Sequence, residues 1–231
     1  MRTVELLGRV LPAPPARVLD VGGGTGIHAR WLARDGYDVT LVDLMAEHVE
    51  RAATIEGVHA SVGEARSLAA PDASFDVVLL LGPLYHLVAA EDRMLALREA
   101  VRVARPGAVI AAAAISRYAS LLDFGAHAGL DETTEPLVRA TLETGHHDPS
   151  LGFTTAYLHR PDELRAEFVA AGLSNVTVYG VEGPAGPALD AHGIDRIDEF
   201  LPSAVRCARI AERDPALIAA SAHLLALATT P

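Results

Sequence analysis

The sequence predicts an α/β fold in which helices cover both faces of a mostly parallel β-sheet. Seven short β-type segments alternate with helical patterns, and most of these segments are apolar on both sides, as the strands of a fully covered sheet are. A glycine-rich turn follows the first of them. Because the carboxyl ends of parallel strands share one edge of a sheet, we expect a ligand to bind there. The predicted strands are RVLDV (17–21), DVTLVD (38–43), GVHASVG (57–63), FDVVLLLG (75–82), AVIAAAAI (108–115), NVTVYGVEG (175–183) and SAHLLALAT (221–229).

Helices and two insertions are predicted between these strands. Residues 116–159 are rich in Gly, His and Thr and are expected to form a cap over the carboxyl edge of the sheet, whereas 183–217 form a second insertion before the last strand. The whole chain, 1–231, is expected to be one domain. The main predicted helices cover 27–34, 45–53, 91–104 (ended by Pro106 and Gly107), 161–172 (from Pro161 to Gly172) and 194–213 (broken near Pro202).

The composition excludes several classes of function. Thirty acidic residues against nineteen basic ones give a net charge of −11, which disfavours DNA or RNA as a partner. All nineteen basic residues are arginine, so a P-loop lysine and a lysine Schiff base are both absent. The single cysteine permits no internal disulfide. No apolar run approaches the ~18 residues of a membrane span, and we expect a cytoplasmic protein without membrane contact.

The turn after the first strand suits a ligand that approaches the backbone closely. Four glycines, Gly22, Gly23, Gly24 and Gly26, lie within five positions, and the helix that follows presents unpaired amide groups. A tight turn without a ligand would also need glycines. A dinucleotide site requires the spacing G-x-G-x-x-G, but when Gly22 is counted as the first position of this motif, the sixth is Ile27.

The pattern Asp20-x-Gly22-x-Gly24-x-Gly26 resembles the first motif of the class I S-adenosylmethionine-dependent methyltransferases. The resemblance covers roughly residues 15–115, and it implies a Rossmann-like class I methyltransferase fold with a mostly parallel seven-stranded sheet and a small helical or irregular cap. It also implies S-adenosylmethionine as cofactor and S-adenosylhomocysteine as product. "LGPLYHL" and "ISRYASLLD" resemble bacterial members that act on small metabolites.

The same resemblance assigns cofactor contacts beyond the glycines. Asp43 would accept hydrogen bonds from both ribose hydroxyls; the alternative role, which is compatible with the first, is a cap for the helix that begins near Met45. Glu64 matches the acidic position near the adenine, where a solvated loop acid is also expected. The remaining cofactor contacts are the adenine walls Leu44 and Ala65 and, after the fourth strand, Leu81 and Gly82.

Differences from the motifs of related methyltransferases argue against two kinds of methyl transfer, the magnesium-dependent and the base-modifying. Gly82 and Pro83 stand where magnesium-dependent members have an acid, and Gly82 offers no side-chain acceptor where base-modifying members have Asn or Asp. We therefore expect no metal and a small-molecule substrate. The sequence does not decide the acceptor atom or the oligomeric state.

His86 is the first candidate for a general base or a substrate-orienting group, because it follows the fourth strand and an imidazole titrates near neutral pH. A structural histidine at this position is the alternative. Tyr85 beside it would line the pocket or pack. If the loop is extended, adjacent side chains point apart and at most one of the two faces the methyl group.

The cap supplies further candidates. His147, Tyr157 and His159 are polar or aromatic residues without helical periodicity, and Tyr157 and His159 would face one cavity if "TTAYLH" is extended. A metal at His146 and His147 lacks partners at ligand spacing. Arg117 would clamp a substrate carboxylate or, more simply, form a surface salt bridge.

Three hypotheses follow for the function. The first is methyl transfer from S-adenosylmethionine to a small metabolite by in-line displacement at the sulfonium methyl. The second is a nicotinamide-dependent oxidoreductase, because Asp43 also suits a dinucleotide ribose. The third is a non-catalytic protein that binds S-adenosylmethionine.

Overall fold

The main sheet has seven strands, and all but one run parallel. The structure is a computed structural model that describes residues 1–193 and 196–231. The strands are β1 (Arg17–Val21), β2 (Asp38–Asp43), β3 (Val58–Val62), β4 (Phe75–Leu80), β5 (Ala104–Ile115), β6 (His146–His147), β7 (Ala156–Tyr157), β8 (Ser174–Gly180) and β9 (His223–Thr229). The order in the main sheet is β3-β2-β1-β4-β5-β9-β8, with β9 antiparallel to both of its neighbours. The predicted fold class is confirmed.

The helices follow the predicted alternation with two differences. They are α1 (Arg2–Leu7), α2 (Ile27–Arg34), α3 (Ala46–Ala52), α4 (Pro83–His86), α5 (Ala90–Val103), α6 (Ala119–Ala126), α7 (Thr134–Thr144), α8 (Pro161–Ala170), α9 (Gly186–His192) and α10 (Ile197–Ala211). The predicted break near Pro202 is wrong, because α10 continues through it. Of that predicted helix, 194–195 lie outside the described residues. Pro106 and Gly107 do not end α5 either, since β5 already begins at Ala104.

Apolar side chains fill both faces of the sheet. In β4, Val77 and Leu79 pack into one core cluster and Val78 and Leu80 into the other, as the two-residue period of a strand requires. On one face the sheet packs against α2 through Leu32. This double coverage explains why the strands are nearly continuous apolar runs.

The cap leaves and rejoins the sheet at the same place. His159 donates its backbone N–H to the carbonyl of Ile115 at 2.8 Å, and Arg117 donates its own to the carbonyl of His159 at 2.7 Å. Between these residues lie α6, α7 and the two-stranded β6–β7 hairpin. The segment 116–159 is thus an excursion from the carboxyl end of β5. Within 1–193 and 196–231, no helix combines the length and apolar character that a membrane crossing requires.

Candidate functional site

The glycine turn after β1 lies at the carboxyl edge of the sheet, and the open space beside Gly24 is called the hollow below. Gly24 has φ +57°, and a Cβ atom built there would meet no atom within 4 Å, so its backbone faces open space. Gly22 has φ +65°, and a Cβ there would lie 2.7 Å from Cγ of Pro83. The turn therefore packs directly against the loop after β4, which joins the two segments that the sequence singled out.

Asp20 lies sealed beneath this turn without a partner. Only 1% of the residue is exposed, and neither carboxylate oxygen has a hydrogen-bond partner in the described part of the chain. Burial, with a smaller contribution from the charge of Asp43, raises the pKa of Asp20 to about 7. A buried carboxylate without donors is stabilised by a nearby cation or donor, and residues 1–193 and 196–231 provide no hydrogen-bond donor here.

Asp43 connects the glycine turn to α3. One carboxylate oxygen accepts the backbone N–H of Gly24 at 2.8 Å, and the other accepts that of Met45 at 2.9 Å and lies 3.1 Å from Nδ1 of His48. The expected bond at the start of the helix is therefore present. Contact between Asp43 and a ribose stays a prediction.

Several large apolar side chains near the carboxyl ends of β2 and β3 and the start of α2 are exposed. Leu44 is 69% exposed, and exposed large apolar side chains at the end of β3 and the start of α2 also lack cover. Sequence reasoning named only Leu44 among them as a cofactor contact. The others are Ile27, Met45 and Val62. Such a patch suits a flat apolar ring.

Glu64 and Ala65 differ in their surroundings. Glu64 forms a partly exposed ion pair with Arg66, as a solvated loop acid does. Ala65 is half-buried and packs against the core of the sheet. Its use as an adenine wall stays a prediction.

The loop after β4 is a single helical turn rather than an extended segment. Leu81 and Gly82 are half-buried and lead into α4, which begins at Pro83, the helical position that proline favours. The prediction that Tyr85 and His86 point apart is wrong, because their ring centroids are 4.6 Å apart. Both rings contact the same cap side chain.

That cap side chain is Phe153, which sequence reasoning missed. Its ring centroid lies 6.4 Å from that of Tyr85, 6.3 Å from that of His86 and 6.1 Å from that of His147. Partial burial lowers the pKa of His86 and raises that of Tyr85. At neutral pH His86 is therefore uncharged and able to accept a proton.

A cavity of about 260 Å³ lies between the cap and the ends of β5 and β8. Phe153 and His147 line it on the side of α4, and His147 is buried, with Nδ1 3.2 Å from the carbonyl of Thr154. Phe124 of α6 and Leu158 add apolar walls. The cavity thus opens beside the residues predicted to face the transferred group.

Tyr157 and His159 lie on the same side of the chain but face away from this cavity. Their ring centroids are 4.8 Å apart, as the alternation predicted, yet neither lines the cavity. His159 is fully buried, and its Nε2 lies 3.1 Å from a carboxylate oxygen of Glu167 in α8. The expectation that both face a substrate cavity is wrong, because α8 supplies a charged partner that draws His159 inwards.

The Tyr157 ring lies between two arginines. The guanidinium carbon of Arg93 lies 3.7 Å from the ring centroid and that of Arg117 lies 5.4 Å from it. Arg93 also donates to the carbonyls of Leu87 and Val88, directly after α4, at 3.0 and 2.7 Å. The cluster therefore fixes the β4 loop to the cap.

Arg117 is neither a surface residue nor a free clamp for substrate. Its side chain is 2% exposed and pairs with Glu163 of α8. The expectation of a surface salt bridge is wrong in its location, since the Arg117 side chain of the pair is buried. Among the described residues, 1–193 and 196–231, no three His, Cys, Asp or Glu side chains converge as metal ligands.

Comparisons with known proteins agree with this architecture. Residues 19–112 match the family model described as "Methyltransferase domain". A solved structure of an S-adenosylmethionine-dependent methyltransferase from Methanosarcina mazei superposes with a TM-score of 0.62 at 20% identity, covering 97% of this chain and 96% of the other. The chain has the class I methyltransferase fold, and its residues 19–112 match the methyltransferase domain family.

Curated relatives match over part of their length. An uncharacterised methyltransferase of Mycobacterium tuberculosis is 39% identical over 105 residues, which cover 45% of this chain and 41% of that protein. The 27-O-demethylrifamycin SV methyltransferase of Amycolatopsis mediterranei is 36% identical over 119 residues, 48% of this chain and 43% of that protein. The match thus spans about two fifths of the length of these relatives.

The same fold also occurs in a protein named for another reaction. A [4+2]-cyclase superposes with a TM-score of 0.63 at 21% identity, covering all of this chain and 81% of the other. The fold alone therefore does not define the reaction.

Proposed function

We propose that the protein transfers the methyl group of S-adenosylmethionine to a small-molecule acceptor. The observation that carries the proposal is the hollow above Asp20, in which an unpaired buried carboxylate, a turn with open space at Gly24 and an uncovered apolar patch at Leu44 lie at one sheet edge. These three features match a cofactor that combines an ammonium group, a polar sugar and a flat base.

The residues fit the cofactor as follows. Asp20 would balance the ammonium group through the turn, and the amino-acid part would lie against the bare backbone at Gly24, where a Cβ atom would meet nothing within 4 Å. The amide groups of Gly22, Gly23, Gly24 and Gly26 are donated within the protein and hold the turn in shape. Asp43 would accept the ribose hydroxyls, with its bond to Gly24 fixing the carboxylate in place. Leu44, Ala65 and the neighbouring apolar side chains would cover the adenine.

The bound cofactor supplies an already activated methyl group, so this chain has to position the acceptor, exclude water and hold or accept a proton. Tyr85, His86 and Phe153 form the wall between the hollow and the cap cavity. His86 would accept the acceptor's proton, which its lowered pKa favours at neutral pH. The cavity beside Phe153 would hold the rest of the acceptor.

Calorimetric titration with S-adenosylmethionine and S-adenosylhomocysteine tests the cofactor. We expect both to bind, and a folded sample that binds neither would contradict the proposal. Binding of NADH without a response to either compound would support the oxidoreductase hypothesis instead.

Incubation with S-adenosylmethionine and a panel of metabolites, followed by mass analysis, tests the reaction. A product heavier by one methyl group is expected. Cofactor binding without methylated product across the panel would favour a binding protein or a reaction of another kind, which the fold shared with the [4+2]-cyclase makes a specific alternative.

A further inference from the structure

The helix that carries Tyr85 and His86 is too short to fix its own position. It is a single turn, Pro83–His86, and the cost of starting a helix is not recovered in one turn. Its first residue, Pro83, packs against the glycine turn at Gly22. The carbonyl groups at its other end have no partners within the helix. The position of both rings therefore depends on what holds the chain directly after α4.

Arg93 of α5 holds that part of the chain. Its Nη1 donates to the carbonyl of Leu87 at 3.0 Å and to that of Val88 at 2.7 Å. The side chain of Arg93 is 3% exposed and does not line the cap cavity. Arg93 therefore acts on the site through α4 and not by contact with a ligand.

Glu167 and Tyr157 fix the Arg93 guanidinium on its other sides. Nε of Arg93 donates to Oε1 of Glu167 at 2.8 Å, Nη2 lies 2.8 Å from the same oxygen, and the Tyr157 ring covers one face. Burial alone would raise the pKa of Glu167, but its bonds to His159 and Arg93 hold that pKa below its ordinary value. Glu167 is thus charged at neutral pH, and a guanidinium that turned away would leave a largely buried carboxylate without its counter-charge.

The cap closes the network from the opposite side. Nε2 of His159 lies 3.1 Å from Oε2 of Glu167, whereas Nδ1 of His159 has no partner in the described part of the chain. A Cβ atom built on Gly145 would lie 2.7 Å from Cε2 of Tyr157, so the cap backbone leaves this ring no room to move. The network thus runs from the residue at which the cap rejoins the sheet, through α8, to the end of α4.

We propose that Arg93 is a positioning residue, which Glu167 and Tyr157 hold in place and which sets where Tyr85 and His86 lie between the hollow and the cap cavity. The inference rests on the proposed function, since it concerns the wall of that same site. Arg93 touches neither the acceptor nor the cofactor in this arrangement. Its effect on the reaction passes through the end of α4.

An NMR titration of the His86 imidazole tests the position of α4 without any substrate. Partial burial lowers the pKa of His86, with a smaller opposing effect from the charge of Asp43, and Tyr85 is the ionisable side chain in ring contact with it. Arg93→Lys keeps a positive charge beside Glu167, but a lysine ammonium cannot reproduce the fork that bonds a carboxylate and two carbonyls together. The released turn exposes the imidazole, and we expect the pKa of His86 to rise by roughly half a unit. The signal that is missing from His86→Ala identifies His86.

Arg102, near the other end of α5, provides a matched control. Its guanidinium also pairs with a carboxylate, that of Glu99, and donates to two backbone carbonyls, those of Ala70 at 2.8 Å and Leu68 at 2.9 Å. Arg102→Lys therefore removes the same kind of fork from the same helix, and it should leave the pKa of His86 unchanged. An unchanged pKa of His86 in Arg93→Lys, or equal shifts in the two variants, would overturn the inference whatever happens to stability.

Glu167→Gln is the second variant, for use if Arg93→Lys does not fold. It removes the charge that holds the guanidinium and keeps the shape of the side chain. We expect the pKa of His86 to rise here as well, by less than in Arg93→Lys because the bonds of Arg93 to the two carbonyls are still possible. A pKa of His86 equal to that of the wild type would count against the role of Arg93.

A kinetic measurement and a titration separate this inference from the proposed function. With an acceptor found by the metabolite panel, Arg93→Lys should lower kcat about tenfold or more and leave the KM for S-adenosylmethionine unchanged, because a displaced wall misaligns the acceptor. A raised KM at unchanged kcat would contradict the inference. If S-adenosylhomocysteine does not bind to the wild type but Arg93→Lys shifts the pKa of His86, Arg93 positions His86 and the proposed function is wrong. If S-adenosylhomocysteine binds and the pKa of His86 does not shift, the proposed function stands and the role of Arg93 is wrong.

Discussion

Replacement of Asp20 by Asn should change how the stability of the protein depends on pH. The pKa of Asp20 is raised from 3.8 to about 7 in the folded protein, so between these values the folded state binds a proton that the unfolded state has released. Wild-type stability therefore falls as pH rises through this window, and the loss is complete above the folded pKa. A pKa raised by about three units corresponds to a loss of about 4 kcal/mol in the free energy of unfolding. Asparagine carries no charge at any of these pH values.

Urea unfolding followed by circular dichroism measures the effect above the isoelectric point of 5.3, where solubility is adequate. Between about pH 6 and about pH 8 the wild type loses free energy of unfolding equivalent to one pKa unit, and Asp20→Asn does not. Over this range Asp20→Asn should therefore gain about 1.4 kcal/mol of stability relative to the wild type. Asp38→Asn, at a half-exposed side chain on the neighbouring strand, is the control and should gain nothing. A stability difference between Asp20→Asn and the wild type that stays constant with pH would refute the assignment of a protonated Asp20.

Three further variants test the site. Asp43→Ala should weaken S-adenosylhomocysteine by about tenfold, because a charged acceptor is lost; calorimetry measures this, and unchanged affinity would separate Asp43 from the ribose. His86→Ala should lower kcat while S-adenosylhomocysteine affinity stays the same; wild-type turnover would remove His86 from the mechanism. Arg93→Met should lower thermal stability by ~3 kcal/mol, because Glu167 is left half-paired in a buried cluster, and an unchanged melting curve in scanning calorimetry would contradict this.

The strands were predictable because their signal is local and physical. A strand covered on both faces has to be apolar throughout, and each of the seven predicted segments overlaps one strand of the main sheet. The glycine turn was equally readable, since positive φ at Gly22 and Gly24 is a backbone requirement that few other residues meet.

The errors lie where long-range contacts override local preference. Pro202 removes one backbone bond close to the start of α10, and a single lost bond there does not interrupt the helix. The orientation of the buried His159 side chain depends on its contact with Glu167. The position of Glu167 follows from the packing of α8 and not from any pattern near the histidine. The error at α4 is different, because a local signal was present. Proline favours the first helical position, so Pro83 indicates a helical turn where an extended loop was expected.

The division of the site explains why the cofactor was easier to predict than the acceptor. The hollow above Asp20 is built from backbone geometry at the ends of adjacent parallel strands, so its sequence signal is short and continuous. The cavity is built from α6, the loop around Phe153, Glu182 and α9, which are up to about seventy residues apart in the chain. Since the fold is shared with a [4+2]-cyclase, the reaction of each such protein has to be decided by the side chains that line its acceptor cavity. In this chain the side chains that line the cavity include Phe124, Phe153 and His147, so their shape and chemistry decide which acceptor the cavity admits.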